Sequence, residues 1–173
     1  EPRFTKVRDA YGPHLQRMQN GLDAIEIQLH MDHTQWREIA AQLIARNGGG
    51  SLGLYFHVSR GADTKRHHAF PAGITPTVFA FTYSIPPSPV PDKRATTPFS
   101  VITAQDQRWH RCNIKSISLL GNVLHYQQSD AQGHNETILY NHNRELTEAS
   151  SCNVYVVKNG IVATPLLDTQ KLP

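Results

Sequence analysis

Trp109-His110-Arg111-Cys112-Asn113-Ile114-Lys115-Ser116, taken with the later run Leu146-Thr147-Glu148-Ala149-Ser150-Ser151-Cys152-Asn153-Val154, decides how this chain is read. A lysine that condenses with an aldehyde must present a neutral amine part of the time, which a desolvated or cationic setting favours. Lys115 has such neighbours: Arg111 four residues upstream, Ile114 beside it, and the apolar residues Ile117, Leu119, Leu120, Val123 and Leu124 after it. Glu148 brings the opposite charge, since a carboxylate set against a ring nitrogen favours the protonated ring. Each residue also has a plainer reading. A lysine between hydrophobic stretches commonly snorkels to the surface, and Thr-Glu at a strand end commonly forms a solvated turn.

Two further stretches bear on the choice. His14-Leu15-Gln16-Arg17 places an arginine at the expected start of a helix, and its planar fork suits two parallel bonds to a phosphate. The alternative is an amphipathic helix with Leu15, Met18, Leu22 and Ile25 inward and Arg17 in water. Val58-Ser59-Arg60-Gly61 followed by Arg66-His67-His68-Ala69-Phe70-Pro71 sets a guanidinium and an imidazole on one loop after a strand. Arg66 and His68 together suit a carboxylate. Otherwise they are part of a polar surface loop whose His-His doublet is at most a weak metal site.

These stretches resemble the fold-type IV pyridoxal phosphate enzymes, the class IV aminotransferases, and within them the D-amino acid branch most closely. Arg111 to Ser116 running into Leu119-Leu120-Gly121-Asn122-Val123-Leu124 is similar to the family's Schiff-base lysine segment, and Thr147 to Val154 to its pyridine-nitrogen segment. The resemblance implies pyridoxal 5'-phosphate as cofactor, Lys115 as its catalytic lysine, and Arg17, Glu148, Ser151 and Leu172 as further cofactor-binding residues. It implies Arg66 and His68 as the trap for the substrate carboxylate, with one extra residue between Arg60 and the trap, so that Lys65 competes with Arg66 in alignment. The implied reaction is a ping-pong transfer of an amino group between a D-amino acid such as D-alanine and a 2-oxo acid, with Lys115 moving the proton. Glu136 is either a hydrogen-bonding partner in this network or an exposed strand residue. Asn113 stands where the family has aspartate, and Ala149 where it has glycine. Aminodeoxychorismate lyase and branched-chain aminotransferase share the lysine and glutamate but lack the Arg-x-His loop. A non-catalytic module that keeps the fold is the reading from another class.

Composition narrows the rest. The net charge of +3 is spread along the chain without a basic stripe interleaved with aromatics, which argues against a nucleic-acid partner. No run of eighteen apolar residues occurs, and Glu1-Pro2-Arg3 leads into no signal-peptide core, so neither a membrane span nor a leader is expected. Cys112 and Cys152 make a poor disulfide framework, and reduced thiols in a cytoplasmic enzyme account for them. Ten histidines occur without a metal-ligand spacing, so no metal is expected; the Asn135-Glu136-Thr137 sequon carries little weight.

The expected organisation is α+β in two domains: a small N-terminal domain over 1–84, a proline-rich linker over 85–93, and a partial, β-rich cofactor domain over 94–173. Helices are predicted near 14–27 and 34–46, the second from Trp36, Ile39, Ala40, Leu43 and Ile44 at helical spacing before Gly48-Gly49-Gly50. Leu52, Leu54, Phe56 and Val58 alternate as a strand does, and a second strand is expected near 76–84. Four prolines within Ile85–Pro91 forbid ladder bonding there. Beyond lie a strand from Phe99 to Ala104, a helix near 117–131, and strands at Glu136–Tyr140, Asn153–Val157 and Ile161–Thr164, the last two joined by a Lys158-Asn159-Gly160 hairpin turn. The cleft between domains is the expected cofactor site. The resemblance also implies a homodimer, and both ends of the chain look cut: the family's opening strands, which carry an active-site tyrosine, are expected to be missing, and the chain stops after Leu172-Pro173, short of the phosphate loops.

Overall fold

Helix α1 spans Pro2–Ala24 and helix α2 His33–Arg46 in the computed structural model, which describes residues 2–90 and 92–173. Proline suits a first helical position because its missing N–H is one the helix cannot use. With that start, α1 holds His14 and Arg17 in its body and not in its first turn, which corrects the expected placement. The helix stops where Glu26 turns left-handed (φ 55°) and the Ile27 N–H reaches back to the Leu22 carbonyl at 2.9 Å. Leu15 and Leu22 are buried on its inner face, as is Ile27 just past its end. Asp32 opens α2 with a complete capping box: its carboxylate accepts from the Thr34 and Gln35 N–H groups, and the Gln35 side chain accepts from the Asp32 N–H.

Strands β1 (Leu52–Ser59) and β2 (Thr77–Ser84) form an antiparallel pair in the register Leu54↔Thr82, Phe56↔Ala80, Val58↔Val78. Trp36 of α2 meets Phe56 edge to face at 5.0 Å, fixing the inner face of this sheet. The opposite face carries Tyr55, Phe79, Phe81 and Tyr83 as one run of touching, largely exposed rings. Between the strands lies a loop, residues 60–76, closed at its base: Gly61 has φ 113°, and a Cβ there would sit 2.3 Å from the Thr75 carbonyl oxygen.

Contacts divide the chain into two compact units, Glu1–Pro91 and Asp92–Pro173. Glu1 and, within the expected linker, Pro91 lie outside the described residues. A 3-10 turn at Lys93–Ala95, capped by Asp92, begins the second unit. There β3 (Val101–Gln105) pairs in parallel with β4 (Glu136–Tyr140), and helix α3 (Leu120–Asp130) makes the crossover that parallel strands require. A strand that periodicity does not announce, β5 (Leu146–Ala149), then pairs antiparallel with β4, completing the order β3-β4-β5. Three of its four residues are buried, so no apolar-polar alternation marks it. The hairpin of β6 (Val156–Lys158) and β7 (Ile161–Ala163) turns at Asn159 and Gly160, both with positive φ. Its first strand is shorter than expected, and α3 begins three residues later than expected, at Leu120.

Candidate active site

The second unit is built around an arginine that the motifs did not single out. The Asp106 N–H donates to the Tyr140 carbonyl at 2.8 Å, extending β3 beyond its last residue, and the Asp106 carboxylate then folds Arg108 back onto itself. Oδ1 accepts from the Arg108 N–H at 3.0 Å and from Nε at 3.1 Å; Oδ2 accepts from Nη2 at 2.9 Å and from Thr147 Oγ1 at 2.8 Å. Locked this way, Arg108 donates from Nη1 to Glu148 Oε2 at 2.6 Å and from Nη2 to the Gln170 carbonyl at 3.0 Å. The side chains of Arg108, Asp106 and Glu148 are only 3%, 6% and 9% exposed. Burial works against each charge, yet the bonds from Arg108 and Thr147 hold the Asp106 carboxyl below its ordinary range. Burial likewise opposes the Arg108 charge, but its bonds to Asp106 and Glu148 push the guanidinium above its ordinary value. The arrangement is a desolvated cation between two anions, worth keeping only because almost every donor is used.

Glu148 sits on β5 with its second oxygen, Oε1, accepting the Leu172 N–H at 3.0 Å. The segment containing Leu172 is also tied from the other side, by the Cys112 N–H to the Thr169 carbonyl at 2.7 Å. Glu148 and Leu172 therefore line one cavity of about 270 Å³, together with Val154, Tyr155, Leu167 and Lys171. Lys171 donates to Asp168 Oδ2 at 2.5 Å and is itself buried. An anionic edge and an apolar leucine on one cavity suit a flat, protonated heterocycle.

Behind β5, Glu136 is buried and accepts at both oxygens, which excludes the exposed-strand alternative. Oε1 takes the Thr137 N–H at 2.7 Å, the Ser150 N–H at 3.2 Å and the Ser150 hydroxyl; Oε2 takes the Ser151 N–H at 3.2 Å and the Ser151 hydroxyl at 2.5 Å. Burial pushes this carboxyl up, but the serine bonds outweigh it and hold it below the ordinary glutamate range. Ser151 is thus anchored through Glu136. Ala149, where the family pattern has glycine, is a buried strand residue without positive φ, so its side chain causes no backbone strain.

Lys115 follows the buried Ile114 in the connection between β3 and α3, and its side chain is exposed. It is not among the residues lining the Glu148 cavity. Asn113, two residues earlier, has a buried Oδ1 with no partner among the described residues. In the first unit, Arg17 is half-buried and its Nη2 donates to His14 Nδ1 at 3.1 Å. Arg66 and His68 are exposed on the 60–76 loop. The structure thus brings Glu148, Leu172, Ser151 and Glu136 into one network of β4, β5 and the final segment. Asp106 and Arg108 complete it; an Asp-x-Arg at a strand end was their only sequence signal. Cys112 and Cys152 are free thiols, and burial pushes both upward in pKa.

A two-unit α+β chain whose buried glutamate opens on a cavity, and whose β3–α3 connection bears a lysine, has the architecture of the fold-type IV enzymes. Residues 11–173 match the family described as amino-transferase class IV, and the chain belongs to that family. It is 36% identical over 151 residues to a D-alanine aminotransferase of Bacillus licheniformis, covering 87% of this chain and 52% of that protein. A D-alanine aminotransferase of Listeria monocytogenes is 30% identical over 158 residues, covering 91% and 54%. The chain thus spans about half the length of the curated relatives it matches. Among solved structures, a putative 4-amino-4-deoxychorismate lyase from Legionella pneumophila superposes with a TM-score of 0.77 at 21% identity, covering 92% of this chain and 57% of that one. A branched-chain amino acid aminotransferase from Escherichia coli gives 0.74 at 19%, covering 93% and 54%. Both likenesses concern the fold. Among the described residues no helix is long and apolar enough to cross a membrane.

Proposed function

We propose that this chain carries the cofactor-binding half of a pyridoxal phosphate-dependent transaminase that moves an amino group between a D-amino acid, such as D-alanine, and a 2-oxo acid. The observation that carries this reading is Glu148: a buried carboxylate held by Arg108 that opens, with Leu172, on a cavity large enough for a substituted pyridine. Bound there, the cofactor supplies an electron sink for the substrate's α carbon. Glu148 would stand against the ring nitrogen, and Leu172 and Ser151 would help to hold the cofactor; the motif assigns Arg17, in the first unit, to the phosphate, which its fork suits. Lys115, on the connection between β3 and α3, would hold the cofactor covalently and move a proton at the α carbon, a role that rests on its motif. Arg66 and His68 bind the substrate carboxylate and so decide which face of the α carbon is presented.

The D-amino acid reading draws on the D-alanine aminotransferase relatives and on Arg66 and His68; the lyase and the branched-chain enzyme draw on fold likeness alone. The substrates are small molecules, and the enzyme works as a cytoplasmic homodimer. A coupled transamination assay on the full chain tests this, with activity expected on D-alanine and little on L-leucine; the reverse refutes the roles of Arg66 and His68. Titration with pyridoxal phosphate is expected to raise a visible absorbance band that Lys115→Ala abolishes. A chain that raises no such band, or whose band survives Lys115→Ala, is a non-catalytic module.

A further inference from the structure

Helix α3 begins five residues after Lys115, and three of its side-chain positions reach the network that holds Glu148. Gly121 packs directly against Arg108: a Cβ there would lie 3.2 Å from the Arg108 Cα and 3.3 Å from its Cγ. The Asn122 side-chain amide donates to the Ser150 carbonyl at 2.8 Å, just past Glu148. One turn on from Gly121, His125 is 2% exposed, and its Nε2 accepts the Gln107 backbone N–H at 3.1 Å. Because that partner can only donate, Nε2 carries no proton, and Nδ1 is left to donate to Gln128 Oε1 at 3.3 Å. The ring is therefore a neutral imidazole of one tautomer. Its own backbone carbonyl accepts from the Thr137 hydroxyl at 2.7 Å, next to Glu136.

The geometry points to His125 as a positioning residue that fixes the Asp106-Gln107-Arg108 turn on α3 and so sets the Arg108 guanidinium against Glu148, an inference that rests on the proposed role of Glu148. Residues 121 and 125 share one face of the helix, so the lysine-bearing connection and the glutamate are registered to each other through this one turn. A buried N–H whose acceptor is removed keeps its full desolvation cost, and the turn relaxes to find water.

The test uses the full chain with His125→Gln, which keeps an acceptor of similar reach, and His125→Phe, which removes it at similar volume. Amide hydrogen exchange at Gln107, measured without cofactor, stays slow in the wild type and in His125→Gln and becomes fast in His125→Phe. Pyridoxal phosphate affinity, from absorbance titration, falls on the order of tenfold in His125→Phe and returns to within about threefold of wild type in His125→Gln. Should His125→Phe fail to fold, His125→Asn, too short to reach Gln107, takes its place. Unchanged Gln107 exchange in the acceptor-free variant overturns the proposal, and so does a variant with lower thermal stability but wild-type cofactor affinity. A wild-type chain that takes up no pyridoxal phosphate counts against the proposed function, and Gln107 exchange then decides the role of His125.

Discussion

The two units carry their candidate site residues in opposite ways. In the second, Glu148, Ser151 and Leu172 are held by buried, multiply bonded partners, so their placement is part of the folding of that unit. In the first, Arg66 and His68 project from an exposed loop, and Arg17 lies half-buried on a helix face. A cofactor must be held in one pose through many turnovers, whereas a loop that selects substrates has to meet ligands arriving from water. The difference teaches that one unit has its candidate residues built into its core and the other has them mounted on its surface.

The sharpest way to break that comparison is Arg108→Leu. Removing one member of a buried ion network leaves Asp106 and Glu148 as unpaired anions, and the expected loss is about 3–5 kcal/mol of folding stability, read by urea denaturation. A loss below about 1 kcal/mol, the size expected of a surface pair, removes the claim that the site is part of the core.

A smaller effect is expected in acid. The folded-state pKa of Asp106 lies below its unfolded value, so its contribution to stability is complete above the ordinary carboxylate range and disappears as pH falls through the lower folded value. Urea midpoints measured downward from neutral pH should drop more steeply in the wild type than in Asp106→Asn. Equal slopes would show that this carboxylate is not linked to folding.

The smallest effect should come from the other unit. Arg66→Ala is expected to change folding stability by no more than about 0.5 kcal/mol while raising KM for D-alanine. A variant that unfolds instead would move Arg66 into the structural class and erase the contrast.

Much of the first unit could be read directly from its residues, for local reasons. Asp32 with Gln35 announces the start of α2, the triple glycine its end, and the alternation of Leu52, Leu54, Phe56 and Val58 a strand with one covered face. The first turn of α1 is less legible, because it has no acidic residue to mark it. In the second unit β5 went unmarked because burial on both faces erases the period of two. Arg108 carries no local mark for a similar reason: its importance comes from partners 40 and 62 residues away, Glu148 and Gln170, and no local pattern encodes such a distance. Glu148 and Leu172 are marked by their motifs, but the bond from the Leu172 N–H to the Glu148 carboxylate joins residues 24 apart and leaves no local pattern.

The closed base of the 60–76 loop has a bearing on how this chain can change over evolutionary time. Arg60 donates to the Glu26 carbonyl at 2.8 Å and to that of Ile25, lies 3.6 Å over the Phe70 ring, and is followed by Gly61, wedged against Thr75. With both stems clamped, residues can be gained or lost in the arc without disturbing β1 and β2, since each doubling of loop length costs only about 0.6 kcal/mol. Lineages can therefore lengthen or shorten that arc while inheriting the sheet and helices unchanged.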